Sequence, residues 1–144
     1  HMNAKFALIL LVVLTVGSSS FAGAEDKVVE VKGKAVVFFG PTEKEYNSLS
    51  ENEQNEWNEV LSDFYHYRDK TTSFLEAHKI KPIITADTKI IIHSGDRTRT
   101  YMRKKFKHIV GYILTDGNNK PKVVEGVGTD VDLIMDFKEY FKIK

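Results

Sequence analysis

The chain has 144 residues, with 21 Lys plus Arg against 20 Asp plus Glu, a formal net charge of +1 and no cysteine. That balance excludes a bulk polyanion binder, and 42% hydrophobic residues with 28% charged, 9 Gly and 3 Pro exclude a disordered, collagen-like or low-complexity chain. The missing thiols exclude a disulfide framework, a CxxC redox site, a thiolate nucleophile and every cysteine-containing zinc site.

His1 and Met2 read as an expression scar followed by a start codon. Lys5, the apolar run Phe6 to Val16 broken only by Thr15, and Ser18-Ser19-Ser20 ahead of Ala22-Gly23-Ala24 form the basic, apolar and small-x-small regions of a secretory signal. Cleavage is predicted after Ala24, dividing the chain into a signal at 1–24 and one domain at 25–144, exported to the periplasm or secreted. The apolar core is about half of the ~20 residues a membrane-spanning helix needs, so no stable membrane anchor is expected after cleavage. Losing Lys5 leaves 20 basic and 20 acidic residues, a formally neutral domain.

Val28, Val29 and Val31 open the domain with a β-prone stretch. Ala35-Val36-Val37-Phe38-Phe39 follows as five consecutive apolar residues, the pattern of a strand buried on both faces, and Gly40-Pro41 stops it. Thr42 to Leu49 is short and polar. Ser50 with Glu53 three residues on is a capping box, and Trp57, Val60, Leu61, Phe64, Arg68, Thr71 and Leu75 recur at helical spacing behind it. Tyr65, Tyr67 and Phe74 lie off that stripe, which implies a helix with more than one neighbour.

Ala77-His78-Lys79 ends the helix. The β-branched runs Ile83-Ile84 and Ile90-Ile91-Ile92 come next, and Ser94-Gly95-Asp96 breaks the pattern. Arg97 to Lys107 is ambiguous, because Thr98, Thr100 and Tyr101 favour strand while Tyr101, Met102 and Phe106 fit one face of a short helix. Ile109 to Leu114, the turn Asp116-Gly117-Asn118-Asn119 and Pro121 to Val124 form an antiparallel hairpin. After Gly126-Val127-Gly128, Thr129 or Asp130 caps a helix carrying Val131, Leu133, Ile134, Phe137 and Phe141.

The order strand, long helix, strand, uncertain segment, strand, strand, helix resembles the thioredoxin-like superfamily. Two stretches carry the resemblance: Lys34 to Pro41, an apolar strand ending at the Gly-Pro where the family places its active-site loop, and Gly111 to Phe141, similar to the family's closing β-β-α unit. The resemblance implies an α/β sandwich with a central mixed β-sheet flanked by helices; the alternative is an α+β fold with an antiparallel sheet packed on one long helix. The family's oxidoreductases carry cysteines at the start of the first helix and a cis-proline before the first hairpin strand. Here the loop reads Gly40-Pro41-Thr42-Glu43-Lys44-Glu45-Tyr46 and Lys107 to Tyr112 holds no Pro, so the resemblance implies a scaffold without the redox chemistry.

His66, His78, His93 and His108 form no HxxH or HxxxH pair, so no metal site is expected, and no cofactor. The Asp116 turn lacks the later acid of a calcium loop and meets Pro121 instead. Ser94 neighbours His93, but adjacent strand residues point to opposite faces and there is no GxSxG elbow. The non-random feature is the placement of charge. Glu43, Glu45, Glu51, Glu53, Glu56, Glu59 and Asp63 face only Lys44 in one stretch, while Arg97, Arg99, Arg103, Lys104, Lys105 and Lys107 form another without an acid. Such poles either steer a partner or pair within the fold or between protomers.

The expected function is therefore an exported, non-catalytic interaction module. Its binding residues are Thr42, Glu43 and Tyr46 of the loop and Arg97, Arg99, Tyr101 and Arg103 of the basic segment, the arginines contacting phosphate, carboxylate or an acidic protein surface and Tyr101 offering a stacking face. The partner is a protein or a small anionic ligand; nucleic acid is not expected for a neutral exported domain. Two alternatives remain: a periplasmic inhibitor or immunity protein, and a hydrolase whose site gathers carboxylates Glu43, Glu45 and Asp116 with Tyr46 or His93.

Overall fold

Strand β2 (Ala35–Phe39) is buried at all five positions, as its unbroken apolar run requires, and every other layer is arranged about it. The computed structural model describes residues 27–144 apart from Asp87 and Val127; the signal expected at 1–24 lies outside the described residues. The other elements are β1 (Val28–Val31), α1 (Glu43–Asn47), α2 (Glu51–Ala77), β3 (Lys81–Thr85), β4 (Lys89–Ser94), β5 (Arg97–Met102), a 3-10 turn at Arg103–Lys105, β6 (Gly111–Thr115), β7 (Lys122–Glu125) and α3 (Asp130–Phe141).

The described residues form two mixed sheets. The four-stranded sheet has the order β3-β2-β6-β7, with β2 parallel to β3, antiparallel to β6, and β6 antiparallel to β7. The three-stranded sheet has the order β1-β4-β5, with β1 parallel to β4 and β5 antiparallel to it. Period-two alternation sends the residues of β2 two ways. Val36 and Phe38 pack with Leu61, Phe64 and Leu75 of α2 and Leu133 and Phe137 of α3. Val37 and Phe39 pack with Val31, Ile90 and Ile92 of the three-stranded sheet.

The order of layers is thus helices, four-stranded sheet, three-stranded sheet. The central mixed sheet is present and Ala35 to Phe39 lies inside it, but α2 and α3 share one face. The other face is covered by strands rather than by a helix, and the sheet is not the purely antiparallel one of the alternative fold. The reason is local. Gly95 adopts φ +63 and closes a two-residue turn between Ser94 and Arg97, so the ambiguous segment begins as the return strand of a hairpin on Ile90-Ile91-Ile92. Only its tail, Arg103–Lys105, coils.

Helix α2 begins at the Ser50 capping box and runs 27 residues. Leu61, Phe64, Arg68, Thr71 and Leu75 are buried as the stripe implies, Tyr65 is buried from beside it, and Val60 is 37% exposed. Thr42 to Leu49 is not the plain loop its polarity implied. Thr42 and Glu45 form a second capping box that starts α1, and Tyr46 drops into the helical core. In α3, Leu133 and Phe137 are buried while Val131 is 62% exposed, off the apolar face expected of it.

Three chain reversals meet at the end of the sandwich where β2 begins. The Gly95 amide donates to the Gly117 carbonyl at 2.7 Å, the Ser94 hydroxyl donates to the Asn119 carbonyl at 2.9 Å, and a Cβ on Gly117 would lie 3.0 Å from Gly33 Cα. These contacts bind the two sheets together at that end.

Candidate functional site

At the opposite end, beyond Phe39, the acidic and basic stretches meet. The Glu45 carboxylate takes the Thr42 amide on Oε1 at 3.1 Å and pairs through Oε2 with the Arg103 guanidinium. Arg103 is only 6% exposed, and loss of hydration holds its pKa below the usual arginine range. Its amide donates to the Thr88 carbonyl at 3.2 Å, which fixes its backbone to the three-stranded sheet while its side chain reaches α1. Tyr46 is buried, with its hydroxyl donating to Asn58 Oδ1 at 2.7 Å and its carbonyl accepting from Gln54 Nε2 at 3.0 Å. Of the loop residues expected to bind, Thr42 caps, Tyr46 fills the core and Glu43 is exposed. The loop is a clamp between layers.

The register of β5 places the other candidates. Arg97, Arg99 and Tyr101 stand opposite Ser94, Ile92 and Ile90, and residues directly opposite in an antiparallel pair share a face. Ile90 and Ile92 are fully buried toward the four-stranded sheet, so Arg97, Arg99 and Tyr101 point to that inner side as well. Tyr101 packs against the core between the sheets, which also takes in Phe106 and Val123. Burial raises its phenol pKa, and the positive charge of Arg99 opposes the rise. Arg97 is exposed and Arg99 half-buried. The Arg99 Nε is shut off from solvent without a hydrogen-bond acceptor, and neither guanidinium has an ion-pair partner among the described residues.

The nominated set therefore divides. Arg103 and Tyr46 are spent on structure, whereas Arg97, Arg99 and Tyr101 form a row along one strand. Lys104, Lys105 and Lys107 lie exposed beyond it. The acids of α2 stay in water on its outer side, with Glu53 engaged in the Ser50 capping box.

Residues nominated for acid–base chemistry do not converge. Glu45 lies past the end of β2 with Arg103, while Asp116 lies past the end of β6, next to the start of β2. Asp116 Oδ1 accepts the Asn118 and Asn119 amides at 2.8 and 2.7 Å, and its Oδ2 accepts the Asn119 side chain at 2.8 Å. Partial burial pushes its pKa up, but these hydrogen bonds outweigh that and hold it below the usual carboxylate range. His93 is on the outer face of the three-stranded sheet, its Nε2 2.9 Å from Glu30 and its Nδ1 3.4 Å from the Thr98 hydroxyl. His108 sits beside Glu125, whose Oε1 accepts the Lys107 and His108 amides at 2.6 and 3.1 Å. His78 Nδ1 meets the Phe74 carbonyl, and His66 lies against Tyr67. Among the described residues no group of three or more metal-ligating side chains forms, and no helix is long and apolar enough to cross a membrane.

The Thr42-x-x-Glu45 spacing is a capping-box signal that the reading of Thr42 to Leu49 as a short polar stretch missed; the second role of Glu45 left no local signal, since Arg103 is 58 residues away in the chain. Likewise nothing in the alternation of Arg97, Arg99, Tyr101 and Arg103 distinguishes the ion-paired Arg103 from the unpaired Arg99. No family model, no curated protein and no solved structure matches the chain.

Proposed function

We propose that the chain is an exported, non-catalytic binding module on a thioredoxin-like scaffold, taking up an anionic group of a protein or small ligand through Arg97 and Arg99 beside Tyr101. The observation that carries this reading is the pair Arg97, exposed, and Arg99, half-buried, on one face of β5 with no ion-pair partner among the described residues. A planar guanidinium donates in a fork that matches a carboxylate or phosphate, so two unpaired arginines side by side favour an anionic group. Arg103 supplies the internal contrast, because the same side chain in the same basic segment already has Glu45.

The scaffold reading is supported by the inner position of Ala35 to Phe39 between β3 and β6 and by the closing β6, β7 and α3 unit. Export is supported by the residue pattern of 1–24. The non-catalytic reading is supported by the dispersal of Glu45, Asp116, Tyr46 and His93 to separate structural tasks. The test is recovery of partners from an exported-protein fraction by wild type and by Arg97→Glu/Arg99→Glu. The expected result is loss of the recovered partner with the charge-reversed protein; equal recovery refutes the arginine site.

A further inference from the structure

The free edge of β5 has a defined hydrogen-bonding phase. In the β4–β5 ladder paired residue numbers keep a constant sum, and the Arg103 amide donates to the Thr88 carbonyl in the same register. In an antiparallel ladder the hydrogen-bonded pairs alternate with non-hydrogen-bonded ones. Arg97, Arg99, Tyr101 and Arg103 are therefore the residues that bond β4. Thr98, Thr100 and Met102 direct their N–H and C=O groups away from it, and among the described residues β5 is the last strand of its sheet.

The four sheet edges formed by the described residues differ. Edge strand β3 carries Pro82, which has no N–H to offer, while β1 and β7 have four residues each. β5 has six, no proline, and four of them exposed. Its inner face carries Arg97 and Arg99 two residues apart, about 6.7 Å along the strand. A second copy of this chain is a poor occupant. Pairing two β5 edges into one continuous sheet would bring arginine rows together on the shared inner face, and like charges opposed across strands destabilise pairing.

We infer that β5 is a strand-addition site for an extended acidic peptide whose carboxylates recur at alternate positions. The main-chain groups of Thr98, Thr100 and Met102 supply three pairs of ladder bonds. Side chains of an added strand point alternately to the two faces, so acids two residues apart fall on the inner side beside the Arg97 and Arg99 guanidinium groups. Acids at consecutive positions would send every second carboxylate to the outer face, which β5 lines with Thr98, Thr100 and Met102 and where it offers no arginine. The inference rests on the binding function proposed above and narrows it to one mode.

The experiment is fluorescence anisotropy of a labelled peptide alternating Glu and Thr, against a peptide of the same composition with its glutamates contiguous. The expected result is at least tenfold tighter binding of the alternating peptide, with at least a tenfold loss in Arg97→Gln/Arg99→Gln. Thr100→Pro removes one edge-facing N–H and leaves the β4 ladder whole, and the same loss is expected there. Two further peptides, N-methylated at the odd or at the even residues, test the ladder with unaltered protein; one phase should bind and the other should not.

Binding that needs the arginines but ignores Thr100→Pro and both methylation phases overturns strand addition and leaves anion capture standing. Failure of every acidic peptide, while charge reversal still abolishes partner recovery, overturns this mode alone. Failure of both experiments removes the binding function as well. A protein that is dimeric without peptide and made monomeric by Thr100→Pro assigns the edge to a second copy and overturns the inference.

Discussion

Arg103 and Glu45 form an ion pair across 58 residues of sequence, and through it the 3-10 turn that follows β5 of one sheet holds the first turn of α1 at the end of the other. Neither side chain is free in water, so the pair acts by requiring both members. Removing one leaves the other desolvated, at a cost of about 3 kcal/mol, whereas replacing both by uncharged groups is close to neutral. Glu45→Gln keeps an acceptor for the Thr42 amide and isolates the charge effect. It is expected to lower the urea midpoint at unchanged slope, and Arg103→Met added to it should restore most of the loss. Additive effects of the two changes would show that the pair is not coupled.

Gly111 begins β6 where there is no room for a side chain. A Cβ there would lie 2.3 Å from the Val124 carbonyl oxygen and 2.6 Å from the Phe39 ring. The backbone of β7 is held by its ladder and Phe39 by the core, so neither yields cheaply. Gly111→Ala should cost about 2–3 kcal/mol, read as a lower thermal midpoint. A stability equal to wild type would mean that β7 is not seated as described.

Alkaline pH should unfold the protein through its tyrosines. Burial raises the Tyr65 and Tyr112 phenols above their usual value of 10.0; the Arg68 charge partly opposes it at Tyr65, and the 2.5 Å hydrogen bond to Asp136 adds to it at Tyr112. Tyr140 is pushed up to about 12 by burial. With folded values above unfolded ones, the folded state holds more protons once the pH passes 10. The stability these groups contribute is whole below that pH and falls as it rises, by about 1.4 kcal/mol per pH unit for each buried phenol. Tyr112→Phe should flatten the loss between pH 10 and 12 in chemical denaturation, and an unchanged slope would contradict the assignment.

Acid should act through Asp116 in the opposite sense. Its pKa is held below the unfolded value of 3.8, so its contribution is present above that pH and is lost as the pH falls through the folded value. Asp116→Asn should be less stable than wild type at pH 7 by about 1 kcal/mol, a figure limited by the solvent around the turn. The difference should shrink between pH 5 and pH 2. A constant difference over that range would assign the effect to geometry rather than to charge.

The parts of the fold legible in the sequence were those governed by local rules. Ala35 to Phe39 is an inner strand because five apolar residues leave no face for water, and α2 and α3 start at Ser50 and Thr129 because hydroxyl and carboxylate three residues apart satisfy the first amides. What escaped was decided by pairing and packing partners rather than by propensity. Arg97 to Met102 became a strand because Ile90-Ile91-Ile92 lay ready to pair with it, although the spacing of Tyr101, Met102 and Phe106 also suits a helix. Val60 and Val131 sit at helical spacing yet stay exposed, because the neighbouring layer does not reach that far round either helix. In the candidate site, basic residue types were visible from the start. Their division into ion-paired Arg103 and unpaired Arg99 needed the position of Glu45.

The chain visits its two sheets in the order three-stranded, four-stranded twice, three-stranded twice, four-stranded twice. Neither sheet is a continuous piece of sequence: β1 must wait for β4 some sixty residues later, and β2 for β6 more than seventy later. Loop-closure entropy makes such pairings slow to form. The same interleaving makes the protein indivisible. A cut between β3 and β4 yields two fragments that each own part of both sheets and complete neither, so the strands should be gained and lost in one cooperative transition, and the fragments should regain structure only when mixed.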